Sequence, residues 1–274
     1  MIRHLFSHPF ARAIIAVVIA VAIIHLFSAL TRDRVIEYKQ ITVKSPNVSP
    51  SINGYTAAFI TDLHGSTEDT VSGMVKELSE WGPDVILLGG DYSGQKDLPG
   101  VFKRLSQIGA PDGIYGVEGN HDDFLTLREA MREGGAKLLE NSGVSLRPGL
   151  YLGGTADLWR RVPDVAAALS GAVEGDFILM LSHNPDTAMA HDFSGVNLAL
   201  CGHTHSGELS LFGVWSPAMG LVSDYGQRFR SGWAKSAAGT DVYVSNGVGR
   251  HSPLRVFAPP QVILVTLEAE NPST

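Results

Sequence analysis

The longest apolar stretch of the chain lies near its start. Between Arg12 and Thr31 run 18 residues, Ala13 to Leu30, of which only His25 and Ser28 are polar. As a helix they reach about 27 Å, close to the roughly 30 Å of a bilayer's hydrocarbon core and longer than most buried helices need. Arg3 and Arg12 before the run would also suit a cleaved secretory signal peptide. The small-x-small site such a signal needs is poor, because Phe27-Ser28-Ala29-Leu30 fits badly and only Ala20 and Ala22 would serve. Residues 1–31 therefore read as an uncleaved, single-pass anchor in the cell membrane, with the signal peptide as the alternative. Basic residues flank both ends, Arg3 and Arg12 before, Arg32, Arg34, Lys39 and Lys44 after, so charge does not assign the domain to one side of the membrane.

Beyond the anchor the pattern changes to short apolar runs that stop at polar knots. Val35 to Val43 alternates like a partly exposed strand, and Ser45 to Gly54 is rich in turn residues, so residues 32–54 read as a first strand and linker before a domain at 55–274. Tyr55 to Ile60 is a buried-strand run ending at Thr61-Asp62-Leu63-His64. Asp69 or Thr70 is placed to cap a helix in which Val71, Met74, Val75 and Leu78 share one face, and Gly82-Pro83 ends it. Val85 to Leu88 then leads into Gly89-Gly90-Asp91, and Gly113 to Val117 into Glu118-Gly119-Asn120-His121-Asp122, with a helix predicted around Val101, Phe102, Leu105 and Ile108. Phe177 to Leu181 runs into Ser182-His183-Asn184-Pro185-Asp186, and Val196 to Cys201 into Gly202-His203-Thr204-His205.

Ligands of open α/β sheets bind at the carboxyl ends of strands, so these five clusters are expected to converge. The stretch from Glu208 to Leu267 is richer in Gly, Ser and strand-like runs such as DVYVSNG and QVILVTL, which together predict a mixed α/β fold with two packed sheets. Gly134-Gly135 and Gly153-Gly154-Thr155 read as turns or helix stops, and Asn271 to Thr274 as a frayed tail.

Composition narrows the chemistry. With 44% hydrophobic residues among 274, the chain is no disordered protein, and a net charge of -7 without a basic stripe argues against nucleic acid as a partner. The single cysteine, Cys201, excludes an internal disulfide and a cysteine-based zinc cluster, leaving His, Asp, Glu and Asn as ligands. The strand ends offer Asp62, His64, Asp91, Asn120, His121, His183, His203 and His205. Imidazoles mixed with carboxylate and amide oxygens, and no thiolate, point to Mn, Fe or Zn. Asp62 and His64, like His203 and His205, are spaced i, i+2, which puts both side chains of an extended segment on one face. With His121 set aside, seven donors suffice for two ions sharing a carboxylate. Ser182 and Ser206 lie in no Gly-x-Ser-x-Gly elbow, so a serine hydrolase is not indicated. His4, His8 and His25 fall in or beside the anchor and His191 in a polar stretch; none is assigned chemistry. Arg250, His251 and Arg255 read as solvated charge, with contact to a substrate phosphate as the alternative, and Asp122, Asp123 and Asp186 as carboxylates placed to orient ligand imidazoles.

The ordered series Asp62-Leu63-His64, Gly90-Asp91, Gly119-Asn120-His121-Asp122, His183 and Gly202-His203-Thr204-His205 resembles the calcineurin-like metallophosphoesterases. Leu181-Ser182-His183-Asn184-Pro185-Asp186, Ser245-Asn246-Gly247-Val248-Gly249 and Pro253-Leu254-Arg255 are similar to its membrane-associated bacterial branch of YkuE and YaeI type, so the likeness spans residues 35–267. Ser206-Gly207-Glu208 departs from the Gly-Gly-Gln that this branch carries after the last histidine, a change expected to touch substrate contacts rather than ligands. The resemblance implies a four-layer αββα sandwich, two mixed β-sheets flanked by helices. It implies two divalent ions per chain, Asp62, His64 and His205 holding one, Asn120, His183 and His203 the other, and Asp91 bridging, with His121 as proton donor or charge stabiliser. The implied activity is hydrolysis of a phosphoester, phosphodiester or pyrophosphate bond by a hydroxide that bridges the ions. The expected substrate is a phosphorylated small molecule or a lipid-linked one. A UDP-2,3-diacylglucosamine pyrophosphatase of lipid A synthesis is the sharper alternative, and a non-catalytic metal-binding scaffold the blander one.

Overall fold

The structure is a computed structural model that describes residues 9–270; Arg3, His4, His8 and the tail from Asn271 lie outside the described residues. Helix α1 (Pro9–Leu30) turns nearly all of its apolar side chains outward, only Ser28 and Ala29 being buried. It is long and apolar enough to cross a membrane. A 3-10 turn, Arg32–Arg34, joins it to the domain. There the Ser28 hydroxyl donates to Asp33 at 2.7 Å, and Asp33 accepts the amide of Phe257 at 2.7 Å.

Two six-stranded sheets form the body. The first runs β1 (Glu37–Ser45), β12 (Gln261–Ala269), β2 (Thr56–Ile60), β3 (Val85–Leu88), β4 (Ile114–Gly116), β5 (Lys137–Leu138). The second runs β10 (Gly232–Lys235), β11 (Asp241–Val244), β9 (Leu198–Cys201), β8 (Phe177–Leu181), β7 (Leu150–Gly154), β6 (Ser142–Arg147). Strands β2 to β5 are parallel, as are β7, β8, β9 and β11. Strand β12 opposes β2, and β1 runs with β12. The start of β1, and with it the end of α1, therefore lies at the pole where β2, β3 and β4 finish.

The strand-forming runs are continuous rather than alternating because both faces are covered. In β2, Ala57 and Phe59 enter the core between the sheets, with Leu87, Val117, Leu152, Leu179 and Leu200. Ala58 and Ile60 face the other way, under helices α2 (Glu68–Trp81), α3 (Leu98–Ser106) and α4 (Phe124–Gly134), which contribute Met74, Leu78, Phe102 and Met131. The short helices α5 (Val165–Ala168) and α6 (Thr187–Ala190) cover the second sheet, and α7 (Met219–Val222) lies beside the later loops. The result is the expected αββα sandwich.

Two local expectations are corrected. Helix α2 starts earlier than Asp69 or Thr70: its cap is Thr67, whose hydroxyl accepts the Thr70 amide at 3.2 Å, and Glu68 and Asp69 occupy the first turn, where the helix dipole favours them. Gly153-Gly154 is not a turn but the end of β7, where Leu139 and Val117 press so closely on Gly154 that a side chain has no room. Gly82 and Gly135 end their helices in the left-handed conformation, as read.

Candidate metal centre

The ends of β2, β3 and β4 in one sheet and β8 and β9 in the other open onto one pole, and the five polar clusters meet there. The chain bends sharply to bring them in. Asp62, Asp91, His203 and His205 have φ of 56°, 58°, 71° and 50°, left-handed conformations that cost a non-glycine residue roughly 1–3 kcal/mol each. At Gly90 (φ 99°) a Cβ would lie 2.5 Å from His183 Nδ1, so only glycine lets the β3 loop pass the imidazole.

His183 donates Nδ1–H to the Gly89 carbonyl at 2.7 Å, which turns Nε2 toward Asp91 Oδ2 at 3.3 Å and Asn120 Oδ1 at 3.2 Å. His205 Nε2 lies 3.3 Å from Asp62 Oδ1 and 2.9 Å from His64 Nε2. Donor atoms of Asp62, Asp91 and His183 fall within 4.8 Å of one another, and those of His64, His205 and His251 form a second such group. The His203 amide points at both Asp62 oxygens, 3.2 Å away, while its buried Nε2 has no partner. His121 is exposed at the rim, its amide donating to Asp91 Oδ1 at 2.8 Å and its ring 5.7 Å from that of His64. A cavity of about 300 Å³ opens over the cluster, lined by Asp91, Asn120, His121, His203, His205 and His251 among others.

The electrostatics suit a cation. Burial opposes ionisation of Asp62, but His205, with His183 and His64, holds its carboxyl well below the usual range. Asp91 is likewise penalised by burial, yet its pairing with His183 brings it down to about 2. Burial and neighbouring imidazoles lower His64 to about 4 and His203 to about 3, leaving both rings neutral. His183 goes the opposite way: burial would lower it, but Asp91 and Asp62 raise it well above an ordinary histidine. Buried carboxylates thus draw in the nearest proton, and the unpartnered Nε2 of His203 completes a donor set that fits divalent ions.

Other residues take different places from those expected. Asp122 orients no imidazole; its carboxylate accepts the amides of Asp91 at 2.9 Å, Tyr92 at 2.8 Å and Gly119 at 2.9 Å, clamping the β3 and β4 loops together. Asp123 caps α4 through the Thr126 amide, and Asp186 receives the Ser223 hydroxyl and the Asp224 amide. Arg255 is not solvated: it is 2% exposed, with Nη2 3.0 Å from His205 Nδ1 and Nη1 on the carbonyls of Asn246 and Ala258. His251 is exposed, as read, yet its ring sits 3.9 Å from that of His64, held by Glu208, which accepts the amides of His251 and Ser252 at 2.6 Å each. His251 follows β11, which runs parallel to β9, so DVYVSNG was a sixth apolar run ending at the same pole. Asp157 carried no such signal. Its Oδ1 accepts the amides of Trp159 and Arg160 at 3.0 Å, setting the indole 4.4 Å from the His203 ring, and its buried Oδ2 has no partner.

Residues 55–207, more than half of the chain, match the calcineurin-like phosphoesterase family. The uncharacterized metallophosphoesterase YkuE of Bacillus subtilis is 28% identical over 261 residues, covering 89% of this chain and 90% of that protein. The phosphodiesterase YaeI of Escherichia coli is 30% identical over 225 residues, 76% of this chain and 80% of its own length. A transmembrane protein with a metallophosphoesterase domain from Danio rerio is 26% identical over 289 residues, 96% of this chain and 64% of its own. With the family's match lying on the strands and loops that build this histidine- and aspartate-rich pole, the chain belongs to the calcineurin-like phosphoesterases and is a metallophosphoesterase, a hydrolase of phosphoric ester or anhydride bonds.

Proposed function

We propose that this hydrolase is anchored in a membrane by α1 and cleaves a phosphoester, phosphodiester or pyrophosphate bond in a membrane-associated substrate, with two ions of Mn, Fe or Zn. The observation that carries the reading is the meeting of Asp62, His64, Asp91, Asn120, His183, His203 and His205 from five strand ends, with the His203 Nε2 left unpartnered. Asp62, His64 and His205 would hold one ion, Asn120, His183 and His203 the other, and Asp91 both. When bound, such ions polarise phosphoryl oxygens and lower the pKa of water for in-line attack.

The chain's own groups prepare that chemistry. The Gly89 carbonyl fixes the His183 tautomer so that Nε2 faces the site. Asp91 Oδ1 accepts the His121 amide, which keeps the imidazole at the open rim. From there it is placed to give a proton to the leaving oxygen. The outward apolar face of α1 and the likeness to a transmembrane relative support the anchor.

The test is elemental analysis of the purified full-length protein, with hydrolysis of bis-p-nitrophenyl phosphate followed before and after chelation. About two ions per chain are expected, with activity that a chelator removes and added metal restores. A protein without metal, or one fully loaded that hydrolyses no phosphate ester, would overturn the reading.

A further inference from the structure

The segment Leu209–Trp215, LSLFGVW, leaves the wall of the metal cavity at Glu208 and returns to it at Ala218 and Val222. Five of its seven residues, Leu209, Leu211, Phe212, Val214 and Trp215, are large, apolar and exposed, Val214 to 72%. It is a built tongue rather than a loose loop: Leu209 bridges to Val256, and the Leu211 amide donates to the Trp215 carbonyl at 2.6 Å around Gly213. Apolar side chains concentrated this way on an ordered surface mark a contact with something outside the domain.

What that something is follows from α1. The ring of His25 lies 4.7 Å from Phe212 and 4.9 Å from Phe257, both held in left-handed backbone at φ 51°. His25 is five residues short of the end of α1, about 7.5 Å along its axis at 1.5 Å per residue. A helix that crosses a bilayer therefore carries Phe212 and Phe257 to the level of its own last apolar turns, the interfacial layer. Beside these rings opens a polar cavity of about 240 Å³ with Arg32, Lys39 and Arg230 in its wall. Its one acid, Glu37, is already engaged by Arg32 at 3.7 Å and Gln261 at 2.8 Å. In a chain of net charge -7, this local excess of cations complements anionic headgroups.

We propose that the tongue Leu209–Trp215 seats in the headgroup layer of an anionic bilayer, with lipid phosphates at the Arg32, Lys39 and Arg230 cavity. The inference rests on α1 as a membrane span, but not on the hydrolytic reading. Because the chain leaves the wall of the metal cavity at Glu208, just before the tongue, and rejoins it at Ala218, just after, seating the tongue brings that cavity beside the membrane surface, where lipid-borne phosphates lie.

The experiment uses the full-length chain, whose one native thiol, Cys201, is buried and leaves introduced cysteines as the labelling sites. Val214→Cys and Val173→Cys are each labelled with an environment-sensitive NBD probe and reconstituted into phosphatidylcholine–phosphatidylglycerol vesicles carrying a shallow spin-labelled lipid. Val173, exposed ahead of the amino end of β8 at the opposite pole, reports water. Probe 214 is expected to shift to the blue and to be quenched several-fold more strongly than probe 173. Equal, water-like signals in vesicles that float with the protein would overturn the proposal. So would a probe at 214 that is shielded yet unquenched by the lipid, which assigns the tongue to a second copy of the chain. Protein that fails to float with the vesicles would remove the span, and the proposal with it.

Discussion

His121 differs from the buried histidines of the cluster in standing at the rim, bound to Asp91 through its backbone and exposed in its ring. His121→Ala should therefore retain the full metal content while kcat falls roughly 10²- to 10⁴-fold, the scale of lost general acid catalysis. Elemental analysis beside turnover of a phosphate diester checks both halves, and an unchanged rate would strip the residue of its role. The ligand-type residues were legible because each follows an apolar run in a fixed local spelling such as Gly-Asn-His-Asp. Arg255 was not: nothing around it in sequence shows that the carbonyls of Asn246 and Ala258 and the ring of His205 will enclose its guanidinium. Burial of a charged side chain is decided by distant elements, and reading along the chain assigns it to solvent by default.

Strands β2, β3, β8 and β9 and helices α2 and α3 were readable to within a turn, since those strands are short runs apolar on both faces and those helices carry one apolar stripe each. What failed were places where a tertiary partner overrides local preference: Gly153-Gly154 has the spelling of a turn, but β6 and β8 take it as a strand. Asp122 shows the same limit. Its place beside Asn120-His121 suggests an acceptor for an imidazole, yet it joins the β3 and β4 loops by receiving three amides. Asp122→Ala would leave those buried donors unmet at roughly 1–3 kcal/mol each, so a loss of about 3 kcal/mol or more is expected. Denaturant unfolding of the metal-free variant measures it, and a loss under about 1 kcal/mol would show that water replaces the clamp.

For the molecule as a whole, the sandwich and its single pole of chemistry follow from five strand ends recognisable in order, while the pairing of β1 with β12 across the whole domain had no local signature. That pairing begins at Glu37, after α1 has buried only Ser28 and Ala29 of its own residues. Removing residues 1–31 should leave a folded domain that keeps its turnover of a soluble phosphate diester; a fragment that is inactive and unfolded by circular dichroism would make α1 part of the fold.

The left-handed backbone at Asp62, Asp91, His203 and His205 has a further bearing on how the protein survives in a cell. Bent main chain at one pole favours opening there, and any ion that binds only the closed form resists it. At a free concentration of a hundred dissociation constants one ion adds about 2.7 kcal/mol, and so raises the melting temperature by about 5–10 °C for a chain of this size. Calorimetry with and without chelator checks this, and equal melting temperatures would remove the coupling. If the ions hold the pole shut, metal supply sets the protein's lifetime as well as its rate: a starved cell would lose the enzyme to proteolysis, beginning at the loops that carry its chemistry.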